Sequence, residues 1–271
     1  MNLELVLNQN FLSPAPIREF NIGFVNKNKR DNNVSIPAVP SLEEMLKQIG
    51  RLPGDCLFFG YAEDDLPVLL NLRNSAPGPI LISADPGAGK TNLLKVITQY
   101  ATLKYDPHEL QLGVITDHPE EWLGQLDFPH CVGLFPMREK GTVQFIQALE
   151  TWTDRRQRME GSVLLIIDGL DDFAHLHSGL IHEMHKILVH GPARKIWTIA
   201  TSNPRQQKDA HTWLQYFHTR IFGYAKSATL VNNPDLPETT IRTLSRGCEF
   251  ILNESGRWVR FCSPKASTRD S

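Results

Sequence analysis

The sequence has no apolar run long enough to cross a bilayer. The longest, such as Val163 to Ile167, have the length of a buried strand, whereas a spanning helix takes about 20 residues. No basic segment followed by an apolar one opens the chain, so a secretion signal is not expected. Paired cysteines are missing too. Cys56, Cys131, Cys248 and Cys262 are scattered without metal or disulfide spacing, and are expected to be reduced thiols of a cytoplasmic protein. Neither sign of charge dominates: 28 Lys and Arg stand against 30 Asp and Glu, a formal net charge of −2. That excludes a surface built to coat nucleic acid everywhere, but leaves room for a narrow basic channel formed in an assembly.

What is present is the make-up of an ordinary globular protein, 41% hydrophobic and 21% charged. Residues 1–40 differ from the rest. A polar, Asn-rich run over 26–33 and the prolines Pro14, Pro16, Pro37 and Pro40 predict a flexible arm. Ser41-Leu-Glu-Glu44 is a capping box that starts a helix running to Ile49. From there strands and helices alternate. Strands are expected over 57–60, 68–70, 79–83, 110–116, 164–168, 196–201 and 220–223, with a closing pair at 249–253 and 259–261. Helices are expected over 90–105, 142–159, 179–190 and 210–216. Continuous apolar strands alternating with helices predict a mainly parallel sheet covered on both faces. One domain is expected over 41–264, with a frayed polar tail over 265–271.

The apolar segment Pro79-Ile-Leu-Ile-Ser83 runs into Ala84-Asp85-Pro86-Gly87-Ala88-Gly89-Lys90-Thr91, and a helix follows through Asn92. A strand, a loop of small residues and a helix are the context a phosphate-binding loop requires. Small residues let backbone N–H groups point at the phosphates, and the helix presents its positive end. Lys90 would reach the β- and γ-phosphates, and the Thr91 hydroxyl would ligate Mg²⁺. The pattern has Gly at the first position where this chain has Ala84, a small change that the loop tolerates if φ there is negative.

A second apolar strand ends in Asp168, placed to hold the Mg²⁺ shell, and Gly169 follows it. A hydrolysing enzyme of this type usually has Glu there to orient the attacking water. Asp171 and Asp172 are the candidate substitutes, and both also read as acids favourable to a helix N-terminus. A third strand ends in Thr201-Ser202-Asn203, where a side chain could sense the γ-phosphate. Together these features predict a RecA-like α/β nucleotide-binding domain with a C-terminal β-hairpin.

Several separated segments carry a further resemblance: Phe59 to Leu72 ahead of the loop, Phe128-Pro-His-Cys-Val132, Trp152-Thr-Asp-Arg155-Arg156, Ala200-Thr-Ser-Asn-Pro-Arg205, His218-Thr-Arg-Ile221, and Gly247 to Leu252 with Trp258 to Phe261. In order and spacing they resemble the FtsK–SpoIIIE–HerA superfamily of pumping ATPases, including the modules of type VII secretion. The resemblance covers roughly residues 55 to 263 and departs from the family at Ala84, at Gly169, and at Ser202-Asn203 where Gln-Arg is usual. It implies ATP and Mg²⁺ as ligands, and a homo-oligomeric ring, a hexamer being one candidate size, that moves DNA or a polypeptide. It also implies that Arg155 or Arg156 reaches a neighbouring subunit's γ-phosphate. Degenerate modules of the secretion branch lose the Glu and bind nucleotide without fast turnover, so a nucleotide-gated assembly module stands as the alternative.

Two other features have plainer readings. His182 and His185 are spaced i and i+3 rather than the i and i+4 of a zinc protease helix, and are expected on a solvated face. Trp152 and Trp197 are expected to pack in the core.

Overall fold

The computed structural model describes residues 39–49, 52, 54–64, 66–125, 128–154, 161–205, 211–226, 238–254 and 257–267. The flexible arm expected over 1–40 lies, but for its last two residues, outside them.

The described residues build one ten-stranded sheet in the order β2-β1-β10-β9-β8-β3-β7-β6-β4-β5. Its strands are β1 (Cys56–Ala62), β2 (Pro67–Asn71), β3 (Ile80–Ser83), β4 (Leu110–Thr116), β5 (Cys131–Pro136), β6 (Ser162–Asp168), β7 (Ile196–Ser202), β8 (Thr219–Gly223), β9 (Glu249–Glu254) and β10 (Arg257–Cys262). The helices are α1 (Leu42–Ile49), α2 (Lys90–Lys104), α3 (Lys140–Asp154), α4 (Leu170–Leu176), α5 (Ile181–His190), α6 (His211–Leu214) and α7 (Glu238–Thr243). From β5 to β8 all pairings are parallel, and from β8 through β9, β10, β1 and β2 they are antiparallel.

The residues of β6 show why the parallel half folds. Leu164 and Ile166 pack on one face with Leu93, Leu94 and Ile97 of α2. Val163, Leu165 and Ile167 pack on the other with Phe173, Met184 and Ile187 of α4 and α5. Both faces are therefore apolar, and the strand reads as an uninterrupted hydrophobic run. Fully burying a side chain of this size contributes about 1.5–3 kcal/mol. Trp197 joins the same core, 2% exposed, and Trp152 packs at the edge of the opposite cluster.

The structure adds an edge strand and two helices to the expected elements. β5 ends the sheet with every residue partly or fully exposed, Val132 at 50%. Its sequence has neither the apolar run of a central strand nor clean alternation. α4 begins directly after Asp168, and α7 precedes the closing hairpin. At the other boundary, Ser41 and Glu44 form the expected capping box, with Ser41 N–H donating to Glu44 Oε2 at 2.8 Å and Glu44 N–H to Ser41 Oγ at 3.2 Å.

The chain does not fray at Lys265. Leu42 N–H donates to the Lys265 carbonyl at 2.9 Å. Gln99 holds Ser267 through both ends of its amide, donating at 2.7 Å and accepting at 2.9 Å. Two side-chain amides on α2, those of Asn92 and Gln99, thus satisfy backbone groups that a polar sequence alone would leave to water. Residues 268–271 lie outside the described part. Among the described residues no helix is long and apolar enough to cross a membrane.

Candidate nucleotide site

Three strand ends set the site. Thr116, Asp168 and Thr201 are register partners across β4, β6 and β7, and Ser83 pairs with Ser202 between β3 and β7. The loop that follows β3 therefore opens at the carboxyl edge of the sheet, where open parallel sheets bind ligands.

Ala84 is fully buried, and its N–H donates to the Ser202 carbonyl at 3.2 Å. The only non-glycine with positive φ among the described residues is Lys195, so Ala84 meets the condition for replacing a glycine. Space for its methyl comes from the next strand. A Cβ built at Gly223 would lie 3.0 Å from the Ala84 Cβ, so the glycine of β8 makes room for the alanine of the loop. Asp85, 4% exposed, accepts from Lys226 N–H at 3.1 Å and lies 3.5 Å from an Arg205 Nη. Pro86 and Gly87 are exposed and Ala88 is buried. Gly87 and Gly89 take φ values of 72° and 95°. At Gly89 a Cβ would fall 2.4 Å from the Gly247 carbonyl oxygen, so both the turn and the close approach require glycine.

Lys90 opens α2. Its ammonium folds into the loop, 2.8 Å from the Ala84 carbonyl and 3.2 Å from that of Asp85. Burial lowers its pKa, opposed by the negative charges of Asp168, Asp171 and Asp85. A cation held by loop carbonyls inside an acidic rim is poised to exchange those weak acceptors for phosphate oxygens. Thr91 is half-buried beside it. Asn92 also borders the cleft, but its amide is engaged elsewhere, donating to the Pro264 carbonyl at 2.8 Å and accepting from Ala266 N–H at 3.0 Å.

Asp168 is fixed from both sides. Thr201 Oγ1 donates to its Oδ1 at 2.7 Å, and Trp122 Nε1 to its Oδ2 at 3.4 Å. The Gly169 N–H in turn donates to Thr201 Oγ1 at 2.9 Å. Gly169 sits at φ 109°, where L side chains are strained. The two acids beyond it differ. Asp172 is exposed. Asp171 is 5% exposed, accepts from Asn203 N–H at 2.6 Å through Oδ2, and keeps Oδ1 buried without a hydrogen-bond partner. Burial pushes its carboxyl up to about 6, partly opposed by the Asn203 N–H. Ser202 is buried on β7, and Asn203 Oδ1 accepts from Arg205 N–H at 3.2 Å. Arg155 and Arg156 lie outside the described residues.

The cleft beside the loop has a volume of about 600 Å³. Gly89, Lys90 and Thr91 line it together with Arg246, Cys248 and Ala266. Arg246 lies over the Tyr224 ring, 4.2 Å from its centroid. Glu121, on the 3₁₀ turn after β4, also borders it. The lining residues outside the loop and Trp122 were not legible in the sequence. They come from four segments with no shared motif, and only the fold brings them to one place. A phosphate cradle, a lysine, a helix-start hydroxyl, a positioned carboxylate and a cleft of that volume fit a nucleoside triphosphate with Mg²⁺. Among the described residues no His/Cys/Asp/Glu cluster fits a metal by itself, and His185 packs edge-on against Tyr216.

The fold is similar to that of solved ATPases. ATPases 2 and 3 of Thermomonospora curvata EccC, in complex with a signal sequence peptide, match with a TM-score of 0.67 at 14% identity, over 85% of this chain and 44% of that one. ATPases 2 and 3 of EssC from Geobacillus thermodenitrificans give 0.63 at 12%, over 82% and 49%. The monomer form of the pCW3 conjugation coupling protein TcpA with ATPγS gives 0.63 at 10%, over 85% and 70%. The chain spans less than half the length of the EccC and EssC structures. No protein-family model matches it, and no curated protein does. At these identities the likeness establishes the fold alone, a RecA-like sheet flanked by helices.

Proposed function

We propose that this chain, with its FtsK–SpoIIIE-type fold, is the ATP–Mg²⁺-binding domain of a motor that moves DNA or a polypeptide through a cytoplasmic ring of its own copies. The observation that carries the reading is the approach of Asp168 to Lys90 at the carboxyl edge of the sheet, near enough for the carboxylate charge to act on the ammonium, with Thr201 holding the carboxylate. The N–H groups of Gly87 and Gly89 in the loop, with those of Lys90 and Thr91 at the start of α2, would bind the phosphate oxygens. Lys90 would leave the Ala84 and Asp85 carbonyls for the β- and γ-phosphates. Thr91 and Asp168 would hold Mg²⁺, which supplies charge neutralisation at those phosphates when bound. Asp171, raised towards neutral pH and with one oxygen unpartnered, is the acid best suited to take a proton from an attacking water.

The cation that offsets the transferred charge is assigned to Arg155 or Arg156 of a neighbouring copy, as in head-to-tail rings. The solved structures named above include an ATPase pair carrying a signal sequence peptide and a conjugation coupling protein, which supports a translocated substrate of either class.

Gly169 favours a second reading, a nucleotide-gated assembly module with little turnover. Phosphate release with and without DNA separates the two. Turnover that DNA or a substrate peptide raises, lost in Arg155→Ala or Arg156→Ala while ATP still binds, supports the motor. Binding without turnover under all those conditions supports the module. A monomer by size-exclusion at saturating ATP, over several salt concentrations, overturns the ring.

A further inference from the structure

Arg246 borders the nucleotide cleft, and the phosphate chemistry gives it no task. Its guanidinium lies over the Tyr224 ring, 4.2 Å from the centroid. The side chain is exposed, and among the described residues it makes no ion pair. Both members of the stack are pinned to the phosphate loop through backbone. The Tyr224 carbonyl accepts from Asp85 N–H at 2.9 Å. Gly247, next to Arg246, donates its N–H to the Ala88 carbonyl at 3.2 Å, and a Cβ at Gly89 would fall 2.4 Å from the Gly247 carbonyl oxygen. A planar cation backed by an aromatic ring is thus built onto the loop that would hold the phosphates.

The strap that joins the two ends of the described chain supplies more of the lining, through Val39, Lys265 and Ala266. Its backbone donors are spent. Lys265 N–H goes to the Pro40 carbonyl at 2.9 Å, Ala266 N–H goes to Asn92 Oδ1 at 3.0 Å, and Pro264 has none to give. The Asn92 amide, the fixed polar group nearest the strap, donates to the Pro264 carbonyl at 2.8 Å. What faces a ligand there is apolar surface from Val39 and Ala266, with the exposed charges of Lys265 and Glu121.

We infer that Arg246 is the stacking platform for the nucleobase, and that the site takes purine nucleoside triphosphates by the face of the base, adenine and guanine alike. This rests on the nucleotide reading above and assigns the lining which that reading leaves unused. Tyr224 covers one face of the guanidinium, and the opposite face is free to receive a ring. A guanidinium is flat and weakly hydrated, and stacks on π-systems where an ammonium does not. Stacking tolerates different bases because every base has a π-face. Adenine and guanine differ along their edges, and telling them apart takes fixed donors and acceptors that one base satisfies and the other leaves unpaired. The fixed groups of the strap are already committed to one another, and exposed Lys265 and Glu121 keep their water.

Titration calorimetry of the full chain with Mg²⁺ tests this with four probes: ATP, GTP, CTP and inorganic tripolyphosphate. Wild type should bind ATP and GTP with similar affinity, CTP more weakly because its ring is smaller, and tripolyphosphate about tenfold more weakly than ATP. Arg246→Lys keeps the charge and loses the plane. It should weaken ATP and GTP about tenfold, to the level of tripolyphosphate, and leave tripolyphosphate unchanged. Lys90→Ala should weaken all four probes, so failure of the phosphate loop is distinguishable from failure of the base platform. A preference of roughly tenfold or more for either purine would show edge recognition and overturn the proposal. So would CTP binding as tightly as ATP, ATP binding no tighter than tripolyphosphate, or Arg246→Lys leaving ATP affinity intact.

Discussion

Thr201 Oγ1 hydrogen-bonds to Asp168 Oδ1 at 2.7 Å while accepting the Gly169 N–H at 2.9 Å. One hydroxyl on the neighbouring strand thereby fixes both the carboxylate and the residue after it. Thr201→Val keeps the shape and removes both bonds. We expect it to cost about 1–3 kcal/mol of stability, because a buried N–H is left unpaired. It should weaken ATP binding in the presence of Mg²⁺ far more than in EDTA. Thr201→Ser should restore both properties. Equal losses with and without Mg²⁺ in calorimetric titrations would contradict a role in holding the metal ligand.

Lys90→Ala removes the ammonium that folds into the loop. The ammonium is held by two carbonyls in the bare site and would gain charged acceptors in the complex. Its loss should cost on the order of 1.5–3 kcal/mol of ATP affinity. Titration calorimetry checks this, and an unchanged Kd refutes the phosphate loop.

Restoring the usual acid after Asp168 is not expected to restore fast turnover. Gly169→Glu puts a side chain at φ 109°, with the new Cβ 3.2 Å from the Met137 methyl. A left-handed backbone costs about 1–2 kcal/mol for a residue with a Cβ. Thermal unfolding should show Gly169→Ala destabilised by a similar amount, separating the backbone cost from that of the charge. A Gly169→Ala variant as stable as wild type would show that the turn relaxes.

Asp171 makes the protein less stable as pH rises. Its carboxyl titrates near 3.8 when unfolded and at about 6 when folded, because burial disfavours the charge. The folded state therefore holds the extra proton between those values, and stability falls as pH climbs through them. Asp171→Asn should remove this slope, leaving the variant on the order of 2 kcal/mol more stable than wild type above pH 7 and level with it near pH 3.5. If Asp171 also activates water, the same variant should turn over at least about tenfold more slowly, about 1.4 kcal/mol in the barrier. Denaturant titrations at several pH values and a phosphate-release assay read the two effects separately.

The phosphate loop and Asp168 were legible because each is local: a run of apolar residues gives the strand, and the next few residues carry the chemistry. Thr201 was legible only as the polar end of a strand, a candidate γ-phosphate sensor; its bonds to Asp168 and Gly169 were not. The rest of the cleft's lining was not. Arg246, Cys248 and Ala266 lie far from the loop in sequence and meet it only because β9 and β10 close the antiparallel half. Ala84 looked like a departure when read alone. Its explanation sits at Gly223, a strand away, and no local pattern links the two. β5 escaped because an edge strand needs neither a buried run nor alternation. The polar stretch from Lys265 to Ser267 escaped because its partners are two amides on α2.

Tyr61 of β1 pairs with Cys262 of β10, and that contact orders events during synthesis. The ribosome delivers the β1–β2 hairpin before the phosphate loop, yet the strand it docks on emerges only after β3 to β9. Until β10 is made the hairpin must wait with an unpaired edge, the kind of surface that recruits another strand or a chaperone. Contacts of such long sequence separation also slow folding. The parallel half has all its own strands once β8 is made, so it can form first. The arrival of β9 and β10 then seats the early hairpin and completes the lining of the nucleotide cleft in one step.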